Sequence, residues 1–202
     1  MNYATEYTDK VLSGEIVACK KIKQAARRYR KDLRASKRKK NPWPYYFDED
    51  FANKAIEFIE LMPARDGSPL KLELFQKYLV AELFGWRDKA TGNRRYDRAY
   101  ISMARKNGKS YLMACLGALY LLMENKPAMN RECVYTANSN SQAHLSFDIL
   151  SSGLRQVSKV SKSVRDRLKI NRNEIIDLPS NSRAVPLASD LHSLDGWQGD
   201  LA

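Results

Sequence analysis

Residues 100–113 read Tyr-Ile-Ser-Met-Ala-Arg-Lys-Asn-Gly-Lys-Ser-Tyr-Leu-Met. A short apolar start runs into a basic loop that ends in Gly108-Lys109-Ser110, and an apolar stretch follows at once. This layout suits a phosphate-binding loop between a strand and a helix. Gly108 lets the backbone approach anionic oxygens. Free N–H groups at the helix start point at the anion, Lys109 reaches the β/γ-phosphates, and the Ser110 hydroxyl suits Mg²⁺. Met103 stands where the general pattern has its first Gly, and Arg105 and Lys106 put two further cations inside the loop. A surface turn capping a helix over Ser110–Met123 accounts for the same three letters.

Around this loop the chain alternates in the manner of an α/β domain. The patterns predict a strand over Tyr96–Ser102, an apolar helix over Lys109–Glu124 and a strand over Glu132–Ala137. A helix over Ser139–Val157 carries Ala143, Phe147, Leu150, Leu154 and Val157 on one face. Leu168–Ile170 and Glu174–Asp177 flank a turn, Arg183–Leu187 forms another strand, and Ala188–Ala202 reads as loop. Upstream the chain is helical. A short helix occupies residues 1–14 up to the Ser13-Gly14 break. A second runs from Glu15 to about Leu33 on the stripe Ile22, Ala26, Tyr29, Leu33. A third spans Asp48–Met62, a turn spans Pro63–Pro69, and a last helix within Leu70–Trp86 uses Leu72, Phe75, Leu79 and Leu83. Trp43–Phe47 reads as a hydrophobic latch.

The net charge of +12 belongs almost wholly to one segment. Residues 20–40 hold twelve Lys or Arg against the single acid Asp32, a net of +11, which leaves about +1 for the rest. Lys20, Lys21, Arg27, Arg28, Arg30, Lys31, Arg34, Lys37, Arg38, Lys39 and Lys40 are the candidates for contact with a phosphate backbone. A solvated helix face is the other reading of such a run. Three cysteines without ligand spacing read as reduced thiols of a cytosolic protein. His144 and His192 are isolated from other ligands, which argues against a metal centre. The apolar run Tyr111–Met123 is too short to span a bilayer.

Together these stretches resemble the large terminase subunit of tailed double-stranded-DNA phages, an ATP-driven motor and nuclease that packages genomes into procapsids. Tyr7–Lys20, Phe47-Asp48-Glu49 and Ala55–Glu60 resemble the family's N-terminal part. Leu74-Phe75-Gln76 with Leu83-Phe84-Gly85-Trp86 resembles the segment before the phosphate loop. Ala104–Ser110 is similar to the family's variant Walker A, in which the first Gly is absent and an internal Arg is normal. Thr136-Ala137-Asn138 with Gln142-Ala143, and Ser193-Leu194-Asp195-Gly196, fit later segments in order.

The resemblance implies a partial α/β P-loop NTPase core of the ASCE type with an N-terminal helical appendage. Residues 1–69 would be the helical segment, with the basic helix at 15–40, and residues 70–202 the core. It implies ATP and Mg²⁺ as cofactors. Gln76, Arg105, Lys106, Asn107, Gly108, Lys109 and Ser110 would bind them, with Gln76 toward adenine and Ser110 toward the metal ion. Arg105 and Lys109 would be the catalytic groups, Arg105 as an arginine finger in cis. The residues themselves leave Arg105 equally open as a plain counter-ion, and Gln76 as a solvent-facing side chain. Implied partners are duplex DNA, a small terminase subunit, the portal protein and further copies of the chain, in the host cytoplasm with no membrane. A Walker B strand is expected just beyond Ala202, with the nuclease further on. The 202 residues are therefore expected to bind nucleotide weakly and hydrolyse it negligibly. A non-catalytic DNA-binding module and a helicase-type P-loop ATPase are the competing readings.

Overall fold

The computed structural model describes residues 2–40, 42–64 and 66–188. Its backbone divides into two compact units, Met1–Glu57 with Lys71–Ile101, and Phe58–Leu70 with Ser102–Ala202.

The first unit is mainly helical. Helix α1 (Tyr3–Ser13) is opened by Asn2, whose side chain accepts from the Thr5 N–H, and closed by Gly14 at φ 90°. Left-handed backbone at that point is what glycine tolerates best. Helix α2 spans Lys20–Ser36, so the expected start at Glu15 is too early. Ile16 and Val17 are β-branched and weak helix formers, and Val17 is 97% exposed, so no buried face rewards a helix there. Of the expected stripe, Ala26 and Tyr29 are buried, while Ile22 and Leu33 are only partly covered. Asp32 shares the buried side, and its carboxylate accepts from Arg95 at 2.7 Å.

Strand β1 (Tyr45–Phe47) pairs antiparallel with β2 (Trp86–Asp88), placing Phe47 opposite Trp86. Tyr29 packs edge-on against Phe47 and Trp86, with centroids 5.5 and 6.0 Å apart. Trp43 meets Trp86 in the same way at 5.5 Å. The aromatic latch expected over Trp43–Phe47 packs on this cluster through Trp43 and Phe47, which stay half-buried, while Tyr46 is exposed. The Arg95 guanidinium lies 4.6 Å from the Trp43 ring centroid.

Helix α3 (Glu49–Glu60) begins on Asp48, whose carboxylate accepts from the Phe51 N–H. Helix α4 (Leu74–Gly85) starts at a capping box. The Glu73 side chain accepts from the Gln76 N–H, and Gln76 Oε1 accepts from the Glu73 N–H at 2.9 Å. The buried residues of α4 include Tyr78, Val80, Ala81, Glu82 and Phe84, whereas the expected stripe members Phe75, Leu79 and Leu83 stay partly exposed. The helix is apolar nearly all round, so periodicity could not select its inner face.

The second unit is an α/β layer. It contains α5 (Lys109–Leu122), β3 (Glu132–Ala137), α6 (Asn140–Val160), α7 (Lys162–Arg167), β4 (Leu168–Ile170), β5 (Ile175–Asp177) and β6 (Ser182–Ala188). The sheet order is β3-β6-β5-β4. β3 and β6 run parallel, with Val134 opposite Val185, and β6, β5 and β4 form an antiparallel meander. The expected stripe of α6 is largely right: Ala143, Phe147, Leu150 and Leu154 are buried. The sequence reading did not anticipate the short α7.

The expected strand over Tyr96–Ser102 does not form. These residues take no regular element, and Tyr100 is 94% exposed. A strand is defined by a hydrogen-bonded neighbour, and the described residues supply none to this segment. The segment Ser193–Gly196 and His192 lie outside the described residues.

Two features hold α5 to the sheet. The Tyr135 hydroxyl donates to the Met113 and Ala114 carbonyls at 3.3 and 3.4 Å. Gly117 lets the same phenol come close, since a Cβ there would lie 1.8 Å from the hydroxyl oxygen. At the other end of α5, buried Arg131 donates to the carbonyls of Leu121, Pro127 and Ala128 and to Ser180 Oγ. Asp177, 0% exposed, accepts from Arg167 and Ser180 and lies 3.9 Å from Arg131.

Candidate nucleotide site

The loop before α5 is built by local geometry. Lys106 has φ 68° and Gly108 φ 72°, and the helix begins at the next residue. Left-handed residues among right-handed ones turn successive N–H groups toward one side, the arrangement that cradles anions. For a lysine this backbone costs roughly 1 kcal/mol, an expense typical of functional loops. The Asn107 side-chain amide donates to the Ala104 and Arg105 carbonyls at 3.2 and 3.3 Å. Its carboxamide thus braces the loop from within.

Helix α5 has no side-chain cap, and its first backbone bond is Leu112 N–H to the Gly108 carbonyl at 2.8 Å. The N–H groups of the first turn are therefore left for a ligand or water. They carry the positive end of the helix dipole. Arg105, Lys106, Lys109 and Ser110 are all exposed. Three cations, a hydroxyl and an open helix terminus thus stand within six residues. Nothing in the loop is acidic, so it can bind anionic oxygens and stabilise charge but cannot act as a general base. Behind it, burial pushes Tyr111 up to about 12 and Cys115 up to about 12, keeping both neutral.

The remaining candidates come from other stretches of the chain. Gln76 belongs to the first unit. Its oxygen accepts one bond in the capping box, which leaves the second lone pair and its amide N–H groups. Residues 20–40 are also in the first unit, and two of their cations are engaged internally. Arg30 donates to Asp9 at 2.7 Å. Arg28 lies 3.5 Å from Glu82 and 5.5 Å over the Tyr96 ring. Lys20, Lys21, Arg27, Lys31, Arg34, Lys37, Arg38, Lys39 and Lys40 are exposed. Among the described residues no group of His, Cys, Asp or Glu could hold a metal ion, and no helix is long and apolar enough to cross a membrane. The sequence signals missed both the left-handed Lys106 and the bracing Asn107. A left-handed lysine has no residue-type signature, whereas Asn107 directly before Gly108 is the available turn signal, because Asn side chains bond nearby backbone in turns.

The family model described as "Terminase large subunit, ATPase domain" matches residues 74–202. Among solved structures, the chain is similar to the crystal structure of the HK97 bacteriophage large terminase. The TM-score is 0.58 and the identity 25%, over 73% of this chain and 29% of that one. The chain thus spans 29% of the length of that protein. No curated protein matches the sequence.

Proposed function

The chain belongs to the terminase large-subunit family through its ATPase domain, and from that premise we propose that it is the nucleotide-binding part of a motor that drives viral double-stranded DNA into a procapsid. The observation that carries this reading is the uncapped start of α5 at Lys109-Ser110, behind a loop with two left-handed residues. Lys109 would neutralise the β/γ-phosphates of ATP, and the Ser110 hydroxyl would help hold Mg²⁺. Arg105 sits against charge that develops on the transferred phosphoryl group. The metal supplies further charge neutralisation when bound. The loop offers no carboxylate, so turnover depends on an acidic residue from outside it, and hydrolysis by the loop residues alone is slow.

Gln76, whose Oε1 accepts from the Glu73 N–H with one lone pair, addresses adenine with its amide N–H groups and the second lone pair, the latter suited to the N6 amino group that guanine lacks. Its removal then weakens the preference for ATP over GTP without abolishing triphosphate binding. The functional division lies between residues 1–69, a helical segment, and 70–202, the ATPase core. Duplex DNA, a small terminase subunit, the portal protein and further copies of the chain are the partners, in the host cytoplasm. The test is displacement of a fluorescent ATP analogue by ATP with Mg²⁺. Binding abolished by Lys109→Ala supports the reading. Salt-sensitive DNA binding without any nucleotide affinity would replace it with a non-catalytic DNA-binding module.

A further inference from the structure

Helix α2 sorts its cations by direction. At 100° per residue, Lys20, Lys23, Lys31 and Arg34 all project within about 40° of Arg27. Five cations therefore form one row, about 21 Å long at 1.5 Å per residue. The row faces away from Ala26, Tyr29 and Asp32, which are buried. Arg28 projects about 100° to one side, toward Glu82, and Arg30 about 60° to the other, toward Asp9. Asp32, the only carboxylate in residues 20–40, is turned inward and held by Arg95. The row therefore has no internal neutralisation from its own helix, and none of its members has an acid partner among the described residues.

We propose that this row, and not the basic segment as a whole, tracks one strand's phosphate backbone on duplex DNA. The choice of duplex DNA rests on the packaging reading above. Phosphates of one strand lie further apart than their ~3.4 Å axial rise, because the strand also winds about the axis, so a straight row of about 21 Å meets a short run of them, roughly four for its five cations. An acidic protein is the weaker occupant. Protein interfaces need a desolvated apolar centre, and none of the exposed large hydrophobic residues lies in α2. The contact reads no base sequence, as a motor moving arbitrary DNA requires.

The experiment is fluorescence anisotropy of a labelled duplex of roughly 30 base pairs, titrated with the chain across about 50 to 200 mM salt. The variant Lys23→Gln/Arg27→Gln/Lys31→Gln/Arg34→Gln keeps helix-forming residues, and circular dichroism confirms its fold. The slope of log K against log salt should fall in magnitude by about 3 to 4, at 0.9 per phosphate lost. The Arg28→Gln/Arg30→Gln variant should leave that slope unchanged. Equal losses in both variants would overturn the row, and so would an unchanged slope in the first variant while wild type binds DNA. Failure of wild type to bind the duplex, with poly-glutamate bound through the row instead, would transfer the surface to a protein partner. Nucleotide-analogue binding is measured in parallel, so failure of the phosphate-loop reading registers separately.

Discussion

Among the described residues, Asp177 is the only carboxylate within ion-pair distance of the buried Arg131 guanidinium, and Asp177→Ala removes it. The Arg131 side chain is 2% exposed and that of Asp177 0%. After the change Arg131 keeps its carbonyl partners at Leu121, Pro127 and Ala128, but these dipoles do not cancel a full charge in a dry site. Arg167, the other partner, has a side chain 35% exposed and can turn to water. The penalty therefore concentrates on Arg131. An uncompensated buried charge costs about 3–5 kcal/mol. For a chain of this size, at about 2–4 °C per kcal/mol, the transition falls by roughly 6–20 °C. Urea unfolding followed by circular dichroism should show a lower midpoint with an unchanged slope. The double variant Arg131→Met/Asp177→Leu discriminates the cause. If the cost is an orphaned charge, the double loses less than the single, because neither charge remains. A single variant within about 1 kcal/mol of wild type, or a double that loses the sum of two singles, would refute the argument.

Three further outcomes follow from local chemistry. Burial raises the Glu82 carboxyl above its ordinary range, against the lowering effects of Trp86 Nε1 and Arg28. Folding thus favours protonated Glu82. That contribution is complete below the ordinary carboxylate pKa and is lost as pH rises through the raised one. Glu82→Gln should therefore gain on wild type in thermal melts over that window and hold its advantage above it. Gly117→Ala forces a methyl onto the Tyr135 hydroxyl and should cost about 1–3 kcal/mol or more, with Tyr135→Val in the same chain recovering part of the loss; no recovery would show that Tyr135 is not the obstacle. Finally, the N–H groups of Ile22 and Lys21 at the start of α2 hold the exposed Cys19 thiol below its ordinary value, while Cys115 and Cys133 are buried. Ellman's reagent should titrate one thiol quickly in the native protein and three after denaturation.

The inner face of a helix is legible where one side is wet and the other dry. The helix α6 shows its inner side through Ala143, Phe147, Leu150 and Leu154, and β3 was placed residue for residue. Readings failed where that contrast was missing. Helix α4 buries Glu82 and leaves Leu79 partly exposed, and the bonds of the acid to Trp86 and Arg28 offset only part of the cost of burying it. Asp32, Arg131 and Asp177 are the same kind of case. Each is polar in sequence and buried in the fold, and its partner lies 63, 46 or 10 residues away along the chain for Asp32–Arg95, Arg131–Asp177 and Asp177–Arg167. Pair burial over such separations leaves no periodic trace.

The phosphate loop was legible for a different reason. Its chemistry depends on a residue order, Gly108-Lys109-Ser110 directly before an apolar helix, and the structure supplies the local consequence: a left-handed Gly108 and an open helix terminus. The strand expected to lead into it was not legible, because a strand is a relation between two segments and Tyr96–Ser102 has no pairing neighbour among the described residues. Loop geometry therefore does not rest on that strand. It rests on α5, fastened behind the loop by Tyr135 at Met113 and Ala114 and by the close approach at Gly117. Weakening that fastening should disturb the anion cradle from behind. Tyr135→Phe, which removes both hydrogen bonds but relieves no clash, is expected to weaken nucleotide-analogue binding less than Lys109→Ala. An equal loss would mean that the order of the cradle, rather than the charge of the lysine, governs affinity.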